Sequence, residues 1–139
     1  MGQVTRFGVS MDATLLKKFD AFIHRREYAK RSEAIRDLVR SALIREEWNT
    51  KDSEVVGTIT IIYDHHVRGL QETLTELQHG SQKSVLSTMH IHLDAHNCLE
   101  VLAVRGKVGD IQNIADRLIS LKGVKHGKLV ATSTGKDLA

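Results

Sequence analysis

His79, His90, His92 and Cys98 stand in the pattern H-x10-H-x-H-x5-C, a set of nitrogen and sulfur donors with the makings of a metal site. His90 and His92 are two residues apart, so on a strand their side chains share a face. A turn centred on Ala95 would set His92 opposite Cys98 and His90 opposite Glu100 in an antiparallel hairpin. Directly opposed Cβ atoms lie about 4.5–5.5 Å apart. That span lets an imidazole and a thiolate share one metal at bonds of about 2 Å. Glu100 then lies beside the histidines and can accept a ring N–H, fixing the ring that ligates. A lone H-x-H pair on a strand is ordinarily solvated; the opposed cysteine turns it into a ligand set. Only three of the four donors come from this hairpin. His79 ends the preceding helix and need not reach the same hairpin, but it can reach that of a second subunit, which would put the metal between chains. Three imidazoles and one thiolate suit Cu(II) or Ni(II) in a plane and Zn(II) in a tetrahedron, and the spacing leaves that geometry open.

The other histidines read as ordinary surface residues: His24, His96 and His126, with His96 in the turn. His65 and His66 follow the end of a strand, where a solvated pair is the usual reading and a metal or switch role the alternative. Cys98 is the only cysteine, which excludes an internal disulfide framework and a four-cysteine zinc site. Cys98 with a histidine and Glu100 could also make a nucleophile, or the metal could activate water. Four protein ligands, however, would close the site and leave no open position for substrate.

These donors need a scaffold, and the pattern from residue 55 onward supplies one. Strands are predicted over Val55–Asp64, Val85–Leu93, Cys98–Val104 and Lys128–Thr134. Helices are predicted over Val67–His79 and Val108–Leu121, with Gly123 to Gly127 as a turn. The order is βαββαβ, the split-βαβ ferredoxin-like plan. Residues 49–54 are short and polar and read as a linker. Residues 1–48 read as strand, helix, helix. Arg6 to Met11 alternate, with Phe7, Val9 and Met11 on one face and Arg6, Gly8 and Ser10 on the other. Asp12 is positioned to cap the first helix, and Ser32 the second, with Glu33 in its first turn. A lone strand cannot satisfy its ladder groups, so it is expected to pair with its copy from another chain in an intertwined dimer.

Residues 1–48 carry ten basic and seven acidic side chains, whereas 49–139 carry ten of each. The whole excess of +3 thus sits in the N-terminal third, which points to a polyanion partner there. An apolar share of 41% is enough for a packed core. The apolar runs are too short to span a bilayer and no signal-like segment opens the chain, so a cytoplasmic protein without a membrane partner is expected.

Four segments together, RFGVSMDATLLKKFD, RSEAIRDLVRSAL, the His79-to-Glu100 block and GVKHGKL, resemble the nickel-responsive transcriptional regulators, the NikR-type ribbon-helix-helix repressors, over nearly the whole chain. The resemblance implies an α+β protein that is no enzyme. It has an N-terminal ribbon-helix-helix domain (residues 1–48), a linker (49–54) and a C-terminal ACT-type domain (55–139), assembled as a homotetramer of two dimers. It implies Ni(II), one per chain, held in a square plane by His90, His92 and Cys98 of one subunit and His79 of another, with operator DNA as the partner and nickel-uptake genes as the targets. Arg6 and Ser10 would read bases from the ribbon in the major groove. Gly8 stands where relatives commonly carry Thr or Ser. Arg31 and Ser32 would anchor a phosphate at a helix N-terminus, and Arg68 would touch the DNA backbone. Glu33 and Asp37 match carboxylates that can hold a second cation. The alternatives are a ribbon-helix-helix regulator answering to another ligand, such as an amino acid, and a metal or Cys/His enzyme.

Overall fold

In the computed structural model, which describes residues 2–81 and 83–139, eight elements follow in the order α1 (Ala13–Arg25), α2 (Arg31–Glu47), β1 (Glu54–Asp64), α3 (Leu70–Gly80), β2 (Val85–His92), β3 (Asn97–Lys107), α4 (Val108–Ile119) and β4 (Val124–Thr132). The chain falls into two compact units, one holding the residues up to Leu43 with Gly135–Ala139 and the other Ile44–Thr134, with the boundary inside α2.

In the first unit α1 starts where the sequence marks it. The Asp12 carboxylate accepts from the backbone N–H groups of Thr14 (2.9 Å) and Leu15 (3.3 Å), satisfying two donors the helix cannot pair internally. The second helix starts two residues earlier than a cap at Ser32 implies. Because α2 begins at Arg31, Ser32 lies inside its first turn rather than at its cap. Arg31 forms a fork to Asp20, with both nitrogen–oxygen distances 2.8 Å. The Tyr28 hydroxyl donates to Asp37 (2.7 Å). The expected strand over residues 6–11 does not form within one chain: residues 2–12 precede α1 without a strand, and no described segment pairs with them. Phe7 and Val9 are 74% and 59% exposed, so the apolar face that the alternation defines has nothing to cover it in the single chain.

The second unit is one antiparallel sheet in the order β2-β3-β1-β4, with β1 paired to β3 on one side and β4 on the other. The helices α3 and α4 supply its core with β1 and β3. Both central strands bury every second residue. In β1 these include Val55, Ile59, Ile61 and Tyr63, and in β3 they are Cys98, Glu100, Leu102 and Val104. Leu70 and Leu74 of α3, and Val108, Ile111, Ala115 and Leu118 of α4, close over that face. Trp48 packs against the same core, and its indole N–H donates to the Thr132 carbonyl (2.8 Å).

Two of the boundaries that differ from the sequence expectation lie at glycines. Helix α3 begins at Leu70 rather than Val67, because Gly69 takes a left-handed φ of 78° immediately before it. Strand β4 begins at Val124, so Gly127 lies within a strand and not in a turn. A Cβ at Gly127 would sit 2.5 Å from Ile119 Cγ1 and 3.1 Å from Ile61 Cγ2. The missing side chain lets α4 approach the sheet closely.

Candidate metal centre

The hairpin of β2 and β3 carries the donors in the register the spacing implied. His92 pairs with Cys98 and His90 with Glu100. The loop between the strands is held by one carboxylate. Asp94 accepts from the N–H groups of His96 and Asn97 (both 2.8 Å) and from the Asn97 side-chain amide (3.2 and 3.0 Å). The Asn97 amide foremost, with those backbone donors, pulls the Asp94 carboxyl down to about 2 from its ordinary 3.8. A depressed carboxylate stabilises the fold above its unfolded value and loses that contribution as pH falls through the folded one. Asp94→Ala is therefore expected to speed amide exchange at His96 and Asn97 above pH 3.8, and the difference from the unaltered protein should shrink as pH falls from 3.8 through about 2. Hydrogen exchange across that range is the measurement.

Cys98 is fully buried at the end of the helix-covered face. His92 Nδ1 and His65 Nδ1 each lie 3.4 Å from its sulfur. Burial, and then the fields of Asp94, Glu100 and Asp64, push the thiol above its ordinary 9.0. A bound cation would have to displace that proton. The rings of His90 and His92 have centroids 5.0 Å apart, and His90 Nε2 sits 3.4 Å from the Tyr63 hydroxyl. Burial foremost, with Glu100 and Cys98 nearby, pushes Tyr63 up to about 12, so it stays a neutral hydroxyl at neutral pH. Glu100 is 7% exposed, and its Oε2 has no hydrogen-bond partner among the described residues. Together with Tyr63, Gln71, Thr75 and His90 it lines a cavity of about 550 Å³ beside the hairpin.

Among the described residues, the His, Cys, Asp and Glu side chains close enough to hold one ion are His65, His92 and Cys98, whose donor atoms all lie within 4.8 Å of one another. The donor set of a buried thiol and imidazoles fits a borderline-soft divalent ion such as nickel. His90 shares the hairpin face but turns to Tyr63. His79, in the last turn of α3, lines other cavities, one of about 450 Å³ with Ser84, Asp110 and Arg117, and does not join the cluster. His65 was the weaker candidate in the sequence. Its signal is positional: β1 runs antiparallel to β3 with Tyr63 opposite Cys98, so the chain leaving β1 must pass the sulfur. Tyr63 had no signal beyond its place in a strand.

The remaining sequence candidates are spread elsewhere. Arg6, Gly8 and Ser10 are exposed, and a Cβ at Gly8 would meet nothing within 4 Å, so packing within the chain does not demand that glycine. Arg68 is exposed in the loop after β1. Both Asp37 oxygens already accept hydrogen bonds, one from Tyr28 and one from Arg40 (3.1 Å), and Glu33 lies one turn earlier on α2.

Residues 56–132 match the family described as the NikR C-terminal nickel-binding domain. A protein of Geobacter sulfurreducens whose name describes a nickel-responsive regulator is 58% identical over 138 residues, covering 99% of each chain. The chain belongs to the NikR family. A second nickel-responsive regulator by name, from a Geobacter species, is 56% identical over the same span. The NikR-family assignment makes the protein a regulator, and the enzyme alternative falls with it. An uncharacterized protein from Thermotoga maritima shares the fold over 56% of this chain and 96% of its own, with a TM-score of 0.51 at 16% identity. Among the described residues no helix is long and apolar enough to cross a membrane.

Proposed function

We propose that this chain is a nickel-dependent repressor that binds operator DNA as a homotetramer, with nickel-uptake genes as its targets. One Ni(II) per chain is held by His90, His92 and Cys98 of one subunit and His79 of another. The observation that carries this reading is the hairpin register: it sets an imidazole against the buried thiol and leaves His79 outside the cluster, as a ligand for a neighbouring chain would be. The uncovered alternating segment at residues 6–11 supports a second copy as the partner that completes the ribbon. Arg6 and Ser10 then face the major groove, and Gly8 removes a side-chain contact at one base. Because Asp20 holds the Arg31 guanidinium, the phosphate contact at the start of α2 falls mainly to backbone N–H groups near Ser32. Arg68 adds a backbone phosphate contact, and Glu33 with Asp37 offers a site for a second cation if Asp37 releases its bonds to Tyr28 and Arg40. The ACT-type domain, residues 55–139, is the assembly and metal-sensing part.

Nickel held between subunits biases the quaternary arrangement, and by reciprocity operator DNA tightens nickel binding by the same factor. The test is a titration of purified protein with Ni(II), following thiolate charge-transfer absorbance, with the same samples run on a promoter fragment from a nickel-uptake gene. The expected result is one nickel per chain and retardation of the fragment only when nickel is bound. In His79→Ala the two readouts separate, with fragment binding lost while thiolate absorbance is weakened. Fragment binding that ignores nickel would end the proposal.

A further inference from the structure

We infer that residues 48–54 are a strap fastened to the second unit, and that any turn of one unit against the other takes place inside α2, at residues 41–44. The strap stands on its own contacts; the use of that turn in operator binding rests on the reading above.

The polar stretch expected as a linker is tied down at both ends. At its start the Trp48 indole N–H donates to the Thr132 carbonyl on β4 (2.8 Å), and the ring packs on the core. A Cβ at Gly57 of β1 would already touch Trp48 Cη2 at 3.5 Å, so the ring lies against the strand backbone. Short turns then fold the chain back. The N–H groups of Asn49 and Thr50 donate to the Glu46 and Glu47 carbonyls (3.0 and 3.1 Å), and that of Ser53 to the Thr50 carbonyl (3.1 Å). At its far end the strap caps α4. That helix has Lys107 at its cap, and no described side chain serves its first N–H groups. Instead the Ser53 carbonyl accepts from the Val108 N–H (3.0 Å) and the Lys51 carbonyl from the Gly109 N–H (3.1 Å), two donors the helix cannot pair internally. Val108 is buried, so lifting the strap would leave its donor unpaired. Glu54 adds an exposed ion pair to Arg105 (2.9 Å), a minor tie beside those two.

Helix α2 is held differently. It runs unbroken from Arg31 to Glu47, yet the boundary between the units falls between Leu43 and Ile44. Its early turns belong to the first unit, where Ala34 is buried and Asp37 accepts from Tyr28 and Arg40. Its last turn belongs to the second, where the Trp48 N–H donates to the Ile44 carbonyl (3.1 Å). Ser41, Ala42 and Leu43 between them are exposed. Helical hydrogen bonds at exposed residues exchange for bonds to water at little net cost, and such stretches open before packed ones. Arg31 lies ten residues before Ser41, or about 15 Å of helix, so a small bend at the pivot is multiplied at the start of α2.

Trp48 is the only tryptophan, so its quenching by acrylamide reports on the strap in the full-length protein. Nickel-loaded protein is compared with and without the promoter fragment. Trp48 quenching and amide exchange at Val108 and Gly109 should stay unchanged, while exchange within residues 42–46 changes by about tenfold. Trp48→Ala should speed exchange at Val108 and Gly109 by about tenfold. It should also lower the nickel-dependent gain in fragment binding while the Ni(II) charge-transfer band persists. Trp48→Phe, which keeps the packing and loses the indole N–H, should fall between. Should the alanine variant fail to fold, Ala42→Gly at the exposed pivot should alter the gain, and Asn49→Gly in the strap should not. A fragment-induced change at Trp48, Val108 or Gly109 with residues 42–46 unmoved would overturn the inference. So would an unchanged gain in folded Trp48→Ala, or equal effects of the two glycine variants. Wild-type promoter binding that ignores nickel would instead undo the repressor reading; the strap would then stand or fall on exchange at Val108 and Gly109 in Trp48→Ala.

Discussion

Cys98→Ala is expected to abolish the nickel response while the fold survives. Structural metal binding of about 10–16 kcal/mol spread over four ligands is about 3 kcal/mol each, so losing one should cost roughly two orders of magnitude in affinity. The thiolate charge-transfer band should vanish altogether. The fold should persist because Cys98 contributes to the core only as a small apolar side chain, among larger neighbours such as Tyr63 and Leu102. Isothermal titration with Ni(II) and a thermal melt separate the two effects. The unaltered protein should also show a pH signature that Cys98→Ala lacks. Because the thiol lies above its ordinary 9.0, it is protonated at neutral pH and the ion must expel the proton. Nickel affinity should therefore climb by about tenfold per pH unit and level off above the raised value.

Arg6→Ala is the largest expected effect on DNA. A good bidentate base contact is worth about 1–3 kcal/mol. A two-fold ribbon uses the residue twice, so operator affinity should fall by roughly 30-fold at the low end. Arg6→Lys keeps the charge but loses the planar fork. It should recover affinity for random-sequence DNA and not for the operator. Gel retardation on operator and scrambled duplexes at several salt concentrations reads both, and equal losses on the two duplexes would show that Arg6 contacts only phosphate.

How far the sequence could be read depended on whether a feature is local. The hairpin register was legible because one turn and a period of two determine which residues oppose. The alternating burial of β1 and β3, and the Asp12 cap, are local in the same way. Strand order is not local. That β1 lies beside β3, and so brings His65 to Cys98, depends on a pairing across 33 residues. Gly127 misled for a related reason: glycine marks both turns and close approaches, and only the position of Ile119 on α4 distinguishes them. The strand over residues 6–11 carried a clear pattern and still formed no ladder, since hydrogen bonds need a second strand and none of the described residues supplies one there. His79 is the opposite case. Its spacing suggested a ligand, and its place at the end of α3 keeps it from this chain's own cluster.

The location of His92 and Cys98 has a kinetic consequence. They form the last pair of a hairpin whose outer strand, β2, is the edge of the sheet. If an ion is clipped across that pair, fraying of the tip opens a route for its release, so a stiffer Asp94–Asn97 loop should lengthen its residence time. Release would then be a matter of how often the clasp comes undone.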